Sequence, residues 1–321
     1  MSTAILGVAA SHTTLMNTHW DQLVHVDRAE RFRDALLRAR DALASARPDT
    51  VIIIGSNHFR GLYLDLVPAV TIGIAECIAS GESGTPKGTL PVDVPLARFI
   101  VESLLMDGVD VAFSAKLQVD HGITHAVQYL LKELDVRIVP IVLNVFAPPL
   151  PPLARCGALG EALGRAIAGF PDARRVAVVA SGGLSHRLPW PDWRAPAGDD
   201  ETFLVEAFTN GRSDWERYER RRREIVLKAS AANDNTSPIN ADFDRRFLSL
   251  VEHGDVARMH ATSTSDLGHD AGNGGQEIRT WIAAAAALGN ARGRVLAYEE
   301  IPEWLTGMAV AVFDPVSTKE R

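Results

Sequence analysis

Residues Thr50-Val51-Ile52-Ile53-Ile54-Gly55-Ser56-Asn57-His58 decide the fold. Five β-branched residues in succession, stopped by glycine and serine, read as a short strand with apolar side chains on both faces. That is what a strand buried inside an α/β sheet needs. The histidine is then carried just past the strand's end. Similar runs recur at residues 4–8, 70–74, 109–113, 138–142 and 175–180, and again at 308–313. Amphipathic stretches at 28–46, 95–106, 124–133, 153–168 and 276–288 separate them as candidate helices. The alternation predicts an α/β fold with a central mixed, mostly parallel sheet flanked by helices.

The chain has 321 residues, enough for two domains or one large one. It has no internal repeat and no Gly/Ser linker, so residues 1–321 read as one domain. Residues 189–240 differ from the rest. They are charged, poor in apolar runs, contain Trp190, Trp193 and Trp215, and include a candidate helix at 214–230. This segment reads as an insertion forming a cap, a lid or an oligomer contact.

Composition removes several function classes. A net charge of −7 and a pI near 5.8 give no electrostatic reason to bind nucleic acid or an anionic membrane. The one basic cluster, Arg217 and Arg220 to Arg223, alternates with Glu216, Glu219 and Glu224 and reads as a solvated face or subunit contact. No apolar run reaches the roughly 18 residues of a spanning helix. The start of the chain lacks a secretory pattern, so the cytoplasm is the expected location. Cys77 and Cys156 have no metal or disulfide spacing. With ten histidines against two cysteines, any bound metal is expected to use imidazole and carboxylate.

Three histidines come after candidate strands. His12 lies beyond 4–8 through Ala9-Ala10-Ser11, His58 beyond 51–54, and His186 beyond 176–180 through Ser181-Gly182-Gly183-Leu184-Ser185. Carboxyl ends of parallel strands share one edge, where ligands bind, so parallel strands would make these imidazoles converge. His121, in a loop after strand 109–113, joins them by the same reasoning. His19, His25, His125, His253, His260 and His269 lack the placement and read as structural or solvent-facing. Glu277 opens the 276–288 helix after Asn273-Gly274-Gly275, a turn able to bring a carboxylate against the histidines. Two imidazoles and a carboxylate make the facial triad of non-haem Fe(II) oxygenases.

The ordered set Ser11-His12, Asn57-His58-Phe59, Gln118-Val119-Asp120-His121-Gly122, Ser181-Gly182-Gly183-Leu184-Ser185-His186, Glu277-Ile278-Arg279-Thr280-Trp281 and Ile301-Pro302-Glu303-Trp304 resembles the class III (LigB-type) extradiol ring-cleavage dioxygenases. Within them it resembles the bacterial branch acting on 2,3-dihydroxyphenylpropionate. The resemblance implies Fe(II) held by His12, His58 and Glu277, with His186 and His121 as acid/base residues facing each other across the substrate. It also implies a small aromatic substrate, incorporation of both atoms of O2, and a homo-oligomer. One departure is Asn57, where relatives carry Asp before the second ligand histidine. That leaves the exact substrate open.

Other readings remain at this level. The same triad could open a hydroxypyridone, an aminophenol or a methoxylated gallate, and Arg60 could contact an acidic substituent, although a surface arginine is the simpler reading. A zinc hydrolase could use the same two histidines and carboxylate. A non-catalytic relative would be expected to have lost ligands, whereas all five candidate residues are present.

Overall fold

A computed structural model describes residues 2–231 and 239–315. Its strands are β1 (Thr3–Ala10), β2 (Thr50–Ser56), β3 (Val70–Ser80), β4 (Lys87–Leu90), β5 (Ala112–Val119), β6 (Arg137–Leu143), β7 (Arg175–Ser181), β8 (Gly293–Ile301) and β9 (Thr306–Phe313). The helices are α1 (Leu15–Thr18), α2 (Val26–Ala46), α3 (Val94–Met106), α4 (His121–Leu130), α5 (Leu153–Gly169), α6 (Gly198–Asn210), α7 (Trp215–Ala231), α8 (Ala241–His253), α9 (Val256–Met259), α10 (Thr264–Ala271) and α11 (Ile278–Ala287). Among the described residues, no helix is long and apolar enough to cross a membrane.

The strands join in one sheet of order β4-β3-β6-β2-β7-β1-β9-β8, with β5 on β3. The inner four, β6, β2, β7 and β1, are mutually parallel. β3 and β9 then pair antiparallel on either side, as do β4 with β3 and β8 with β9, while β5 pairs parallel to β3. Every residue of β2 is buried, as its continuous β-branched run requires. Ile52 and Ile54 face a core shared with α3, α5 and α11, while Val51 and Ile53 face one shared with α2 and α4. Alternation along a strand thus makes two cores and three layers.

Three expectations shift. The strand expected at 109–113 is β5, displaced to Ala112–Val119, where exposed and buried residues alternate. It pairs only with β3, so a half-exposed strand escaped a search for continuous apolar runs. β4 and β8 escaped it too, being mostly half-exposed. Finally, His121 is not in a loop but begins α4, three residues ahead of the expected start, because the Asp120 side chain caps the helix by accepting from Gly122 N at 3.0 Å. The 189–240 segment supplies α6 and α7, with residues 232–238 lying outside the described residues.

Candidate active site

The carboxyl ends of β1, β2 and β7 do share one edge, and the loops leaving them bring His12, His58 and His186 together. All three are buried, as is Glu277, the last residue of a 3-10 turn (Gly274–Glu277) that leads into α11. His12 Nε2 and His58 Nε2 lie 3.4 and 3.3 Å from Glu277 Oε1, and His186 Nε2 lies 3.8 Å from Oε2. Gly274 allows this approach, since a Cβ there would sit 2.0 Å from His186 Cδ2.

His121 arrives by another route. β5 runs opposite to the inner strands, so the shared-edge argument does not place it. Instead the first turn of α4 lies directly on the end of β2. A Cβ on Gly55 would be 2.2 Å from Gly122 O, and one on Gly122 would be 2.1 Å from Ser56 O. This glycine pair lets the His121 ring lie against His58, with centroids 3.7 Å apart and the planes tilted by 32°.

Each imidazole is held from behind by its Nδ1. The partners are Ser181 Oγ for His12 (2.9 Å), Asp120 Oδ1 for His58 (3.2 Å), Glu82 Oε1 for His121 (2.8 Å) and Leu184 O for His186 (2.8 Å). Fixing Nδ1 turns Nε2 toward the common space, as ligation or proton transfer requires. Asp120 also accepts from His58 N at 2.6 Å, so a carboxylate stands beside the second histidine although residue 57 is Asn. Asn57 itself accepts from Phe59 N at 3.3 Å, at a backbone turn where Phe59 has φ +59°.

Burial works against the charge on His58, yet Asp120 and Glu277 outweigh it and lift its pKa to about 9. Burial and the neighbouring His58 lower His121 to about 4, and burial outweighs Glu277 to lower His186. Glu277 stays well below the usual carboxylate range, because His12 and His58 overcome its own burial. It also accepts from Ser56 Oγ and Gly183 N.

The donor set suits a metal. His12 Nε2 is buried with no hydrogen-bond partner among the described residues. The 3.3–3.4 Å separations from Glu277 match the roughly 3.0–3.4 Å between neighbouring donors when bonds are about 2.1 Å long. Ligand atoms of His12, His58 and His121 also lie within 4.8 Å of one another, as do those of Glu82, Asp120 and His121.

A cavity opens over these groups, lined by His12, His58, His121, His186 and Glu277 together with Trp190, Trp304 and one face of α7. Trp190 and Trp304 leave Nε1 without an acceptor among the described residues. Several residues differ from their sequence reading. Arg60 is buried, not a surface arginine; it pairs with Glu82 and with Glu219 (3.0 Å) and stacks on Trp215. Arg222 is no solvated residue: it donates to His58 O at 2.6 Å and to Phe59 O at 3.4 Å. His125 is fully enclosed against His12 and His121 with both ring nitrogens unpartnered among the described residues, and His19 lines the cavity. Glu82 was missed: it lies in a 3-10 turn after β3, well past the strand expected at 70–74, and β3 runs antiparallel to the inner strands, so the strand-end rule applied to the histidines does not reach it.

Residues 7–309 match the family model described as the catalytic LigB subunit of aromatic ring-opening dioxygenase. Curated relatives include the 2,3-dihydroxyphenylpropionate/2,3-dihydroxicinnamic acid 1,2-dioxygenases of Rhodococcus jostii and Burkholderia vietnamiensis. The first is 35% identical over 94% of this chain and 95% of its own length. The second is 34% identical over 97% and 96%. The Escherichia coli protein of that name is 34% identical over 90% of this chain and 94% of its own. The zinc-hydrolase reading is not favoured: this chain belongs to the LigB family and is an aromatic ring-opening dioxygenase.

Proposed function

We propose that the protein cleaves a catechol bearing a phenylpropanoid-type side chain, extradiol to its hydroxyls, with both atoms of O2 entering the ring-opened product. The observation that carries this reading is the approach of Glu277 Oε1 to within 3.4 Å of two buried imidazole nitrogens in a LigB-family chain. His12, His58 and Glu277 would hold Fe(II), and the Nε2 of His121 stays free for proton transfer. When bound, the ion supplies a Lewis acid that acidifies the catechol hydroxyls and a route for electrons from ring to O2.

The chain's own residues move the protons. With Nδ1–H donated to Leu184 O, His186 presents an Nε2 lone pair and takes a proton from a substrate hydroxyl. His121 is set the same way by Glu82, whose charge steadies the imidazolium formed when its neutral Nε2 takes the proton of the other hydroxyl; His121 then gives that proton to the opening ring. Trp190, Trp304 and Leu188 wall the cavity with apolar surface and limit water. The inner face of α7 covers it as a lid. Two buried, unpaired cysteines fit a cytoplasmic location, and a homo-oligomer is the expected assembly.

The test is metal analysis and O2 uptake by anaerobically Fe(II)-loaded protein with 2,3-dihydroxyphenylpropionate, an aminophenol, a hydroxypyridone and a methoxylated gallate. Uptake of one O2 per catechol with a new ring-opened chromophore supports the reading. Zinc-bound protein without uptake on any member contradicts it.

A further inference from the structure

Three guanidinium groups line the cavity, those of Arg60, Arg222 and Arg223. The first two have their charges matched or braced by the protein. Arg60 is held between Glu82 and Glu219, with its buried Nη1 alone lacking a hydrogen-bond partner among the described residues, and Arg222 donates to the carbonyls of His58 and Phe59. The carboxylates of the lining are spent as well: Glu82 on Arg60 and His121, Glu219 on Arg60, and Glu277 on the histidines. On the outer side of α7, Arg217 and Arg221 pair with Glu206 and Asp200.

Arg223 is the exception within the lining. It is exposed and has no acidic or carbonyl partner among the described residues. It belongs to an inward row, Glu219, Arg222, Arg223, Val226 and Leu227, at the three- and four-residue spacing of one helix face. Its charge acts on His19, another lining residue. An uncompensated cation at the exposed rim of a concave, part-apolar space attracts anions and orients them as they enter.

Resting on the ring-opening reading above, we propose that Arg223 is the specificity-determining residue of this site, its guanidinium holding a carboxylate at the far end of the substrate's side chain while the ring sits over His12, His58 and Glu277. Arginine suits this role because its planar fork donates to both carboxylate oxygens. Neutral side chains would leave it hydrated and bind less well.

The experiment compares 3-(2,3-dihydroxyphenyl)propionate with its neutral propanamide. Affinities for the Fe(II)-loaded protein are measured without O2, and kcat/KM with it. The parent should favour the acid by about tenfold or more, the size of one charge-assisted contact. R223M should bring the ratio of acid to amide close to one, mainly through KM, and R223K, which keeps the charge without the planar fork, should restore only part of it. Equal treatment of acid and amide by the parent, or an unchanged ratio in R223M, overturns the proposal. If neither ring is opened, the ring-opening reading fails, and the anaerobic affinities still decide the role of Arg223.

Discussion

The inner parallel strands and the α7 cover contribute to one cavity by opposite means. The strands deliver His12, His58 and His186 through short loops at a shared edge, from a bed whose backbone is buried on both faces. α7 delivers Glu219, Arg222 and Arg223 from a surface helix with charges on every side. Under the proposals above, the bed would determine what chemistry can occur, and the cover which molecule meets it. The two meet on the loop that leaves β2, where Arg222 donates to the backbone carbonyls of His58 and Phe59 and where Arg60 pairs with Glu219 and stacks on Trp215. A charged residue of the cover therefore braces the turn that carries a residue of the bed.

Changes in the bed should have the largest effects. H12A, H58A or E277A should lose bound metal and ring opening together, read by metal analysis and O2 uptake. H186A should retain metal but lose roughly 10²–10⁴ in kcat, the usual worth of a general acid or base. Full turnover in H186A would remove that residue from the mechanism. D120N should weaken metal binding by about 10–100-fold, because Asp120 fixes both the ring and the backbone of His58.

The brace between the regions should give a smaller effect. R222M leaves two buried carbonyls without their donor, at a cost of about 1–3 kcal/mol in stability by denaturant titration. It should also weaken metal binding. Loss of stability with unchanged metal affinity would separate cover from bed.

These regions differed in legibility for physical reasons. The strand-end histidines stood out because continuous β-branched runs mark buried parallel strands, and such strands share one edge where the next few residues must emerge. His121 was grouped with them for the wrong reason: its position depends on the Gly55–Gly122 contact, a long-range close approach that no local pattern reports. His125 was passed over because its placement is helical, one turn beyond His121. Arg60, Arg222 and Arg223 could not be sorted by a charge pattern, since side chains of like charge read alike in sequence. The fold separates them: Arg60 lies between two carboxylates, Arg222 is buried against two carbonyls, and Arg223 is exposed at the rim.

The smallest predicted effect lies behind the bed. Asp244 accepts from Ser185 N, Ser185 Oγ and Tyr298 Oη, and so anchors the loop that carries His186. Burial raises its pKa to about 6. A folded-state pKa above the unfolded value means a stability contribution that is present at low pH and lost as pH rises through about 6. The unfolding free energy should therefore carry a term that declines between about pH 4 and 6, and D244N should remove it.

The central claim is that two strand-end histidines and Glu277 form the iron site of a ring-opening enzyme. The most direct measurement is O2 uptake with simultaneous iron determination on the parent and on E277A, using 2,3-dihydroxyphenylpropionate. The account predicts one iron and one O2 per turnover-competent site in the parent, and neither in E277A. Iron retained at parental affinity in E277A, with His121 needed in its place, would contradict it.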